Sequence, residues 1–224
     1  EISLDYGIAW IDGPDERGID IALLYRSDWV EVLEVEQLQG CTLLVDGLGP
    51  DGNGDVLNPS NALTCDSDGD GNLDGNRLFS RPPLNILLRI QGKAQDAWNL
   101  RLIVNHWKSK TEDTPDVKYT LLRRVEEAEF VARLVRDILA TQSDAHLVVL
   151  GDLNDYPDSQ AVMILQASSL YNIVNRLPLQ ERYTYIHQGS SQVLDYILLS
   201  PSLNNQIVTI HSIHMNADYP DIYA

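Results

Sequence analysis

Positive charge is what this sequence has least of. Sixteen Lys and Arg stand against 33 Asp and Glu, a formal net charge of −17 at pH 7 over 224 residues. From Cys41 to Asn76 there is no Lys or Arg at all. A polyanion such as DNA is repelled over most of such a surface. Tight, extended nucleic-acid binding is therefore disfavoured, and brief contact through local cations or a bound metal is what remains open. Long apolar runs are also missing: nothing approaches the roughly 18–20 residues of a membrane span, so no span is expected. No leader peptide is legible either. The chain begins at "EISLDYG", inside what reads as continuing structure, and an excised domain is expected. Cysteine is scarce, with Cys41 and Cys65 bracketing a single loop. Both sit beside Asp- and Gly-rich segments where burial is unfavourable. A Cys41–Cys65 disulfide and an oxidising compartment are expected, against the alternative of a free buried pair.

Several catalytic signatures are absent too. There is no Gly-x-Ser-x-Gly elbow, no Gly-x4-Gly-Lys phosphate loop and no His-Glu-x-x-His zinc helix. "GDLND" shares its Gly-Asp-x-x-Asp pattern with two-metal phosphoesterases of the calcineurin kind. The Gly-Asn-His-Asp/Glu and Gly-x-His motifs that those enzymes also need are not here.

What is present is ordinary for one soluble domain: 44% hydrophobic and 22% charged residues, enough chain to bury a core, and no repeat or linker. "IDIALLYR" (19–26) reads as a buried strand, and "WVEVLEVEQL" (29–38) alternates with period two, a strand with one wet face. "LNILLRIQG" (84–92) and "NLRLIVNHW" (99–107) form a hairpin pattern around "KAQDA". One long helix is predicted from after Pro115 to about Thr141. Its apolar stripe is Leu121, Leu122, Val125, Ala128, Val131, Ala132, Val135, Ile138 and Leu139, with Glu126, Glu127, Glu129, Arg133 and Arg136 on the outer face. Strand "AHLVVL" (145–150), a helix near 158–167, and strands at 182–187, 192–200 and 206–215 follow. Strands with interspersed helices make this an α/β or α+β layered sandwich.

The acidic insertion at 41–79 carries "DSDGDGNLD". Asp66, Asp68 and Asp70 alternate, Gly71 follows, then Asn72 and Asp74. These are the first two-thirds of a calcium loop, with a glycine at the sharp turn. Carboxylates so close repel unless a divalent cation neutralises them. The twelfth position, where a bidentate Glu closes the sphere, is Arg77, so a short structural Ca2+ loop is expected rather than a helix–loop–helix sensor; the alternative is a solvated acidic loop.

The chemistry-bearing residues lie far apart: His106 in "VNHWKSK", Asp152 and Asn154 in "GDLNDYP", and Asp195 in "LDYILLS". Singly, each has a bland explanation: a capped core histidine, an Asx turn, an edge-strand charge. Yet Asp152 and Asn154 stand at i and i+2 just past a strand and can face one ion. A carboxylate beside a neutral amide suits magnesium, which takes few protein ligands and keeps its other positions for water and phosphate. Lys108 and Lys110 follow His106 and offer local positive charge; Arg26 and Arg77 are weaker candidates for phosphate contact.

In this order, "RGIDIALLYR", "NHWKSK", "VLGDLNDYP" and "LDYILLSP" resemble the endonuclease/exonuclease/phosphatase (deoxyribonuclease I-like) superfamily over nearly the whole chain. The "GCTLLVDGLGPDGNGD…CDSDGDG…NRLFSRPPL" insertion resembles bacterial extracellular nucleases in particular. The resemblance implies a four-layer α/β/β/α sandwich of two packed mixed sheets. It implies that His106 is one of two histidines around the scissile phosphate, that Asp152 and Asn154 bind Mg2+ (or Mn2+), and that Asp195 orients the other histidine. It also implies an N-terminal Asn and metal-binding Glu and a C-terminal Ser-Asp-His, and none of these is legible here; "HMNADYPD" (214–221) resembles the segment before that last motif. A domain truncated at both ends, inactive by itself, is the expectation. The implied function is a secreted or cell-surface, metal-dependent nuclease that contacts nucleic acid transiently. The alternatives are a phosphatase or sphingomyelinase-type phosphoesterase and a non-catalytic extracellular calcium-binding or adhesion module. No adjacent aromatic pair of the kind a membrane-docking hairpin needs is present, which disfavours the sphingomyelinase.

Overall fold

The structure, a computed structural model, describes residues 5–15, 17–44, 63–92, 96–111 and 113–214. Positions 45–62 of the acidic insertion and all but the first residue of "HMNADYPD" lie outside them. The first strands, β1 (Tyr6–Trp10) and β2 (Ala22–Arg26), pair antiparallel as a sheet of their own. Then come β3 (Val30–Gln37), the short β4 (Cys41–Thr42) and β5 (Asn76–Arg77), β6 (Leu84–Ile90) and β7 (Trp98–His106). Helix α1 (Leu121–Thr141) leads to β8 (Leu147–Asp152), and α2 (Gln160–Ala167) to β9 (Tyr171–Asn172). The small hairpin β10 (Tyr185–His187) and β11 (Ser190–Gln192) precedes β12 (Asp195–Leu199) and α3 (Pro201–Asn204).

Six of these strands form one mixed sheet in the order β3-β6-β7-β8-β12-β9. Its pairs are antiparallel except β7 with β8, which run parallel and are joined through α1. Side chains alternate faces along each strand. Ile103, Leu147, Val149, Tyr196 and Leu198 therefore meet α1 and α2 on one face, with Trp107 and Phe79 sealed into the same core. Leu84, Ile86, Leu88, Leu102, Val148 and Leu199 line the other face and pack against Ala9 and Ile21 of the β1–β2 region. Burying a side chain such as Phe79 or Leu147 completely contributes about 2–3 kcal/mol each. The molecule is an α/β sandwich, and among the described residues its layers are helix, six-stranded sheet and two-stranded sheet.

Three sequence expectations are corrected. Helix α1 starts at Leu121, several residues after Pro115, because residues 113–120 spend their hydrogen bonds on turns. The Asp113 carboxylate accepts from the Thr120 N–H at 2.8 Å. Thr114 donates its backbone N–H to the Val117 carbonyl and accepts the Val117 N–H on its hydroxyl oxygen. Glu127, assigned to the outer face, is 1% exposed, whereas Leu122 of the apolar stripe is 62% exposed. Of the strand expected over 206–215, residues 206–214 enter no sheet among the described residues, and Val208 and Ile213 stand exposed to solvent. No helix of the described residues is long and apolar enough to cross a membrane.

Candidate functional site

Strand alternation brings the dispersed candidates to one place. His106 ends β7, Asp152 ends β8 and Asp195 begins β12, and all three fall on the face that carries Leu102, Val148 and Leu199. They are also in register: His106 pairs with Asp152 across the parallel ladder, and Asp152 with Asp195 across the antiparallel one. The imidazole Nε2 lies 3.8 Å from a carboxylate oxygen of Asp152, each side chain about one-third exposed.

The turn after β8 is built by its own residues. Gly151 has φ +124, and a Cβ there would sit 2.0 Å from the Asn105 carbonyl oxygen, so the closest approach of β7 to β8 admits only glycine. Asn154 adopts φ 50 and donates its backbone N–H to Asp152 Oδ1 at 2.8 Å, an Asx turn. Its side-chain Nδ2 donates to the Trp107 carbonyl at 3.0 Å. Lys110 donates from Nζ to the Asn154 carbonyl at 2.6 Å and lies over the Tyr156 ring, 4.3 Å from its centroid. The polar turn and the metal-ligand pattern are thus the same object.

Behind the turn, α1 carries buried polar groups into the core. Arg124 pairs with Asp155 at 2.8 Å and with Asp113 at 3.1 Å, and reaches the Lys108 carbonyl at 3.4 Å. Glu127 accepts the Lys108 N–H at 3.1 Å. Tyr196 donates its hydroxyl to the Asp155 carbonyl at 2.9 Å. Asp155 therefore serves the scaffold. None of Arg81, Arg124, Glu127 or Tyr196 was singled out as functional from sequence. A legible signal existed for α1 alone: Arg123, Arg124 and Glu127 share the helical face of Ala128, Val131 and Val135.

Burial pushes the His106 imidazole down to about 4, with the charges of Arg81 and Arg17 acting the same way and Asp195 and Asp15 opposing. The ring is neutral at pH 7, so its contact with Asp152 is not an ion pair there. Burial raises the Asp152 carboxyl; the Asn154 N–H, Arg81 and Lys110 pull it back, and Asp195 adds to the rise. Burial also lowers Lys110.

The donor set fits an oxygen-preferring divalent ion. With Asn154 Nδ2 committed to Trp107, the amide oxygen is the atom left to accept, beside the Asp152 carboxylate. One carboxylate and one amide oxygen are few ligands, the pattern magnesium tolerates. Of the expected cations, Lys110 is at the site and Lys108 is buried next to it. Arg26 is not: it pairs with Asp28 and Trp29, just before the start of β3, which lies opposite Ile90 and the first residue of β7. The cation found at the site end instead is Arg81, which donates to the carbonyls of His106 and Trp107 at 3.2 and 2.6 Å.

At the insertion, the Cys41–Cys65 disulfide is formed, with Cα atoms 5.9 Å apart. Carboxylate oxygens of Asp66, Asp68 and Asp70 lie within 4.8 Å of one another. Gly69 and Gly71 take the left-handed conformations that the turn demands, with φ +80 and +94. Backbone N–H groups hold the carboxylates: Gly71 on Asp66, Asp70 on Asp68 and Asn72 on Asp70. Asp74 accepts from the Ser67 N–H and hydroxyl at 2.7 and 2.6 Å, clasping the base of the loop.

A family model described as the endonuclease/exonuclease/phosphatase family matches residues 82–219, well over half of the chain and inclusive of His106, Asp152, Asn154 and Asp195. Among solved structures, the chain is similar to a D. rerio TDP2 humanised by 14 mutations, at 17% identity and TM-score 0.50, covering 87% of this chain and 61% of that one. It is similar to a functionally unknown conserved protein from Enterococcus faecalis V583, at 12% identity and TM-score 0.50, covering 87% and 65%. At identities this low the likeness is one of fold. A third likeness, to the mannosyl-6-phosphatase Bt3783 of Bacteroides thetaiotaomicron VPI-5482, has 14% identity, TM-score 0.48 and coverage of 88% and 63%. The chain spans about three fifths of the length of the first solved structures it matches. No curated protein matches it.

Proposed function

The chain belongs to the endonuclease/exonuclease/phosphatase family, and from that premise we propose that it carries the metal-dependent phosphodiesterase site of a secreted nuclease. The observation that carries this reading is the shared register of His106, Asp152 and Asp195 on one face of three adjacent strands. Asp152 and Asn154 are the proposed ligands of a magnesium or manganese ion. Such an ion, when bound, neutralises phosphate charge and stabilises the charge that builds during in-line displacement.

The chain's own residues do the rest. His106, neutral at pH 7 because of its burial and the nearby guanidinium charges, offers a lone pair that takes a proton from water, while its ring N–H is a donor for a phosphate oxygen. Asp195 is the carboxylate assigned to orient a second histidine. Lys110 fixes the Asn154 carbonyl and sets a positive charge beside the site on a chain of net charge −17. Arg81 adds a buried cation at the end of β7. These local charges answer the repulsion that an acidic surface exerts on nucleic acid.

We assign Ca2+ to the loop of Asp66, Asp68 and Asp70, with Asn72 following and Asp74 as a clasp. Together with the disulfide it pins the insertion, as an oxidising, calcium-rich exterior permits. The test is hydrolysis by the full-length protein of supercoiled plasmid, RNA, inositol phosphates and sphingomyelin, with magnesium and with chelator. Magnesium-dependent nicking that His106→Ala abolishes is expected. Hydrolysis confined to the small phosphoesters points to the phosphatase alternative, and none on any substrate to a non-catalytic module.

A further inference from the structure

Arg81 stands immediately before β6 in "FSRPP" and is only 6% exposed. Among the described residues no carboxylate lies within ion-pair distance of it: Asp15 is taken by Arg17, and Glu127 accepts from the Lys108 N–H. A buried guanidinium without a paired carboxylate costs stability. What this one holds instead is backbone. Its Nε donates to the His106 carbonyl at 3.2 Å, and one terminal nitrogen donates to the Trp107 carbonyl at 2.6 Å. The rigid fork of a guanidinium grips two consecutive carbonyls in a fixed geometry from separate nitrogens, which the single nitrogen of an ammonium does not reproduce.

The Trp107 carbonyl has a second partner. Asn154 Nδ2 donates to the same oxygen at 3.0 Å, so both lone pairs of one carbonyl are used, one by Arg81 and one by Asn154. The Asn154 backbone is already locked by its N–H bond to Asp152. The freedom that remains is which way its amide turns. With the nitrogen on Trp107, the oxygen is the end left for a ligand role.

We infer that Arg81 is a positioning residue for both halves of the site. Through the His106 carbonyl it fixes the strand end that carries the imidazole. Through the Trp107 carbonyl it fixes the Asn154 amide with its oxygen outward. The consequence for turnover rests on the phosphodiesterase reading; the consequence for the amide does not.

The experiment uses the full-length protein and follows hydrogen exchange of the Asn154 side-chain amide by NMR. In the wild type this amide is expected to exchange at least about tenfold more slowly than a free asparagine amide. Arg81→Lys, which keeps the charge and loses the fork, should remove that protection. With magnesium and a phosphodiester substrate, Arg81→Lys should lower kcat by about tenfold or more with KM within about twofold. Its effect should also be non-additive with that of Asn154→Ala. Arg81→Gln provides a second variant should the lysine fail to fold. Unchanged Asn154 exchange in either folded variant overturns the inference, as does free-rate exchange in the wild type, which needs no variant. A raised KM with kcat intact overturns it too, since it marks direct contact with substrate. Absence of wild-type turnover counts against the phosphodiesterase reading, while the exchange data still decide the role of Arg81.

Discussion

His106 and Asp152 are register partners on parallel strands, with Nε2 and Oδ2 3.8 Å apart. That distance is too long for a hydrogen bond, and burial drives both groups toward their neutral forms. They share a face without being locked to each other, so each retains a lone pair for a third party.

Glu127 makes the pH dependence of stability a direct test of the α1 scaffold. Burial raises its carboxyl to about 8 from 4.5, against the pull of the Lys108 N–H and the guanidiniums of Arg123, Arg124 and Arg81. The folded chain therefore keeps a proton that the unfolded chain releases at lower pH. Its contribution to stability is full below about 4.5 and is lost as pH rises through about 8. Denaturant midpoints of wild type relative to Glu127→Gln should fall across that interval and level off above it. Parallel curves for the two proteins would contradict the assignment.

Gly151→Ala should be among the most damaging small changes in the chain. The new Cβ collides with the Asn105 carbonyl at a φ of +124, so the β7–β8 junction has to open. A loss on the order of 3 kcal/mol is expected from urea unfolding. A loss below about 0.5 kcal/mol would show that the junction is looser than described.

The Cys41–Cys65 bridge spans a separation of 24 residues. Opening it frees a loop whose closure contributes about 3 kcal/mol. Cys41→Ser with Cys65→Ser should lower the urea midpoint accordingly, while a reductant should leave that double variant unchanged. Equal midpoints for wild type and variant would remove the bridge from the account.

Calcium should raise the thermal midpoint of the full-length protein, and chelation should reverse the gain. Asp68→Ala with Asp70→Ala should abolish the response. Calorimetry showing no heat at millimolar calcium contradicts the loop assignment.

Much of this was legible because strand chemistry is periodic. Leu102, Val104 and His106 alternate on β7, as do Val148, Leu150 and Asp152 on β8, so each polar end shares a face with its own strand's apolar residues, and the β7–β8 register brings the two faces together. The hairpin of β6 and β7 and the strand–helix–strand unit around α1 read out the same way. What was not legible depends on partners distant in sequence. Glu127 is buried because the Lys108 N–H and neighbouring guanidiniums receive it, and Arg124 because Asp113 and Asp155 do. A helical wheel puts both on the apolar face but supplies a partner for neither. Arg81 carries no periodic signal, since its acceptors are the backbone carbonyls of His106 and Trp107. Residues 206–214 differ for the opposite reason: the apolar alternation is there, but among the described residues no strand lies beside it to complete a ladder.

The most direct test of the central claim is the rate of bis(p-nitrophenyl) phosphate hydrolysis at pH 7 by the full-length protein with magnesium. Wild type, His106→Ala and Asp152→Asn should be compared at equal folded concentration. Magnesium-dependent turnover that falls by about a thousandfold in each variant is the predicted result. Wild-type turnover retained in either variant would contradict it.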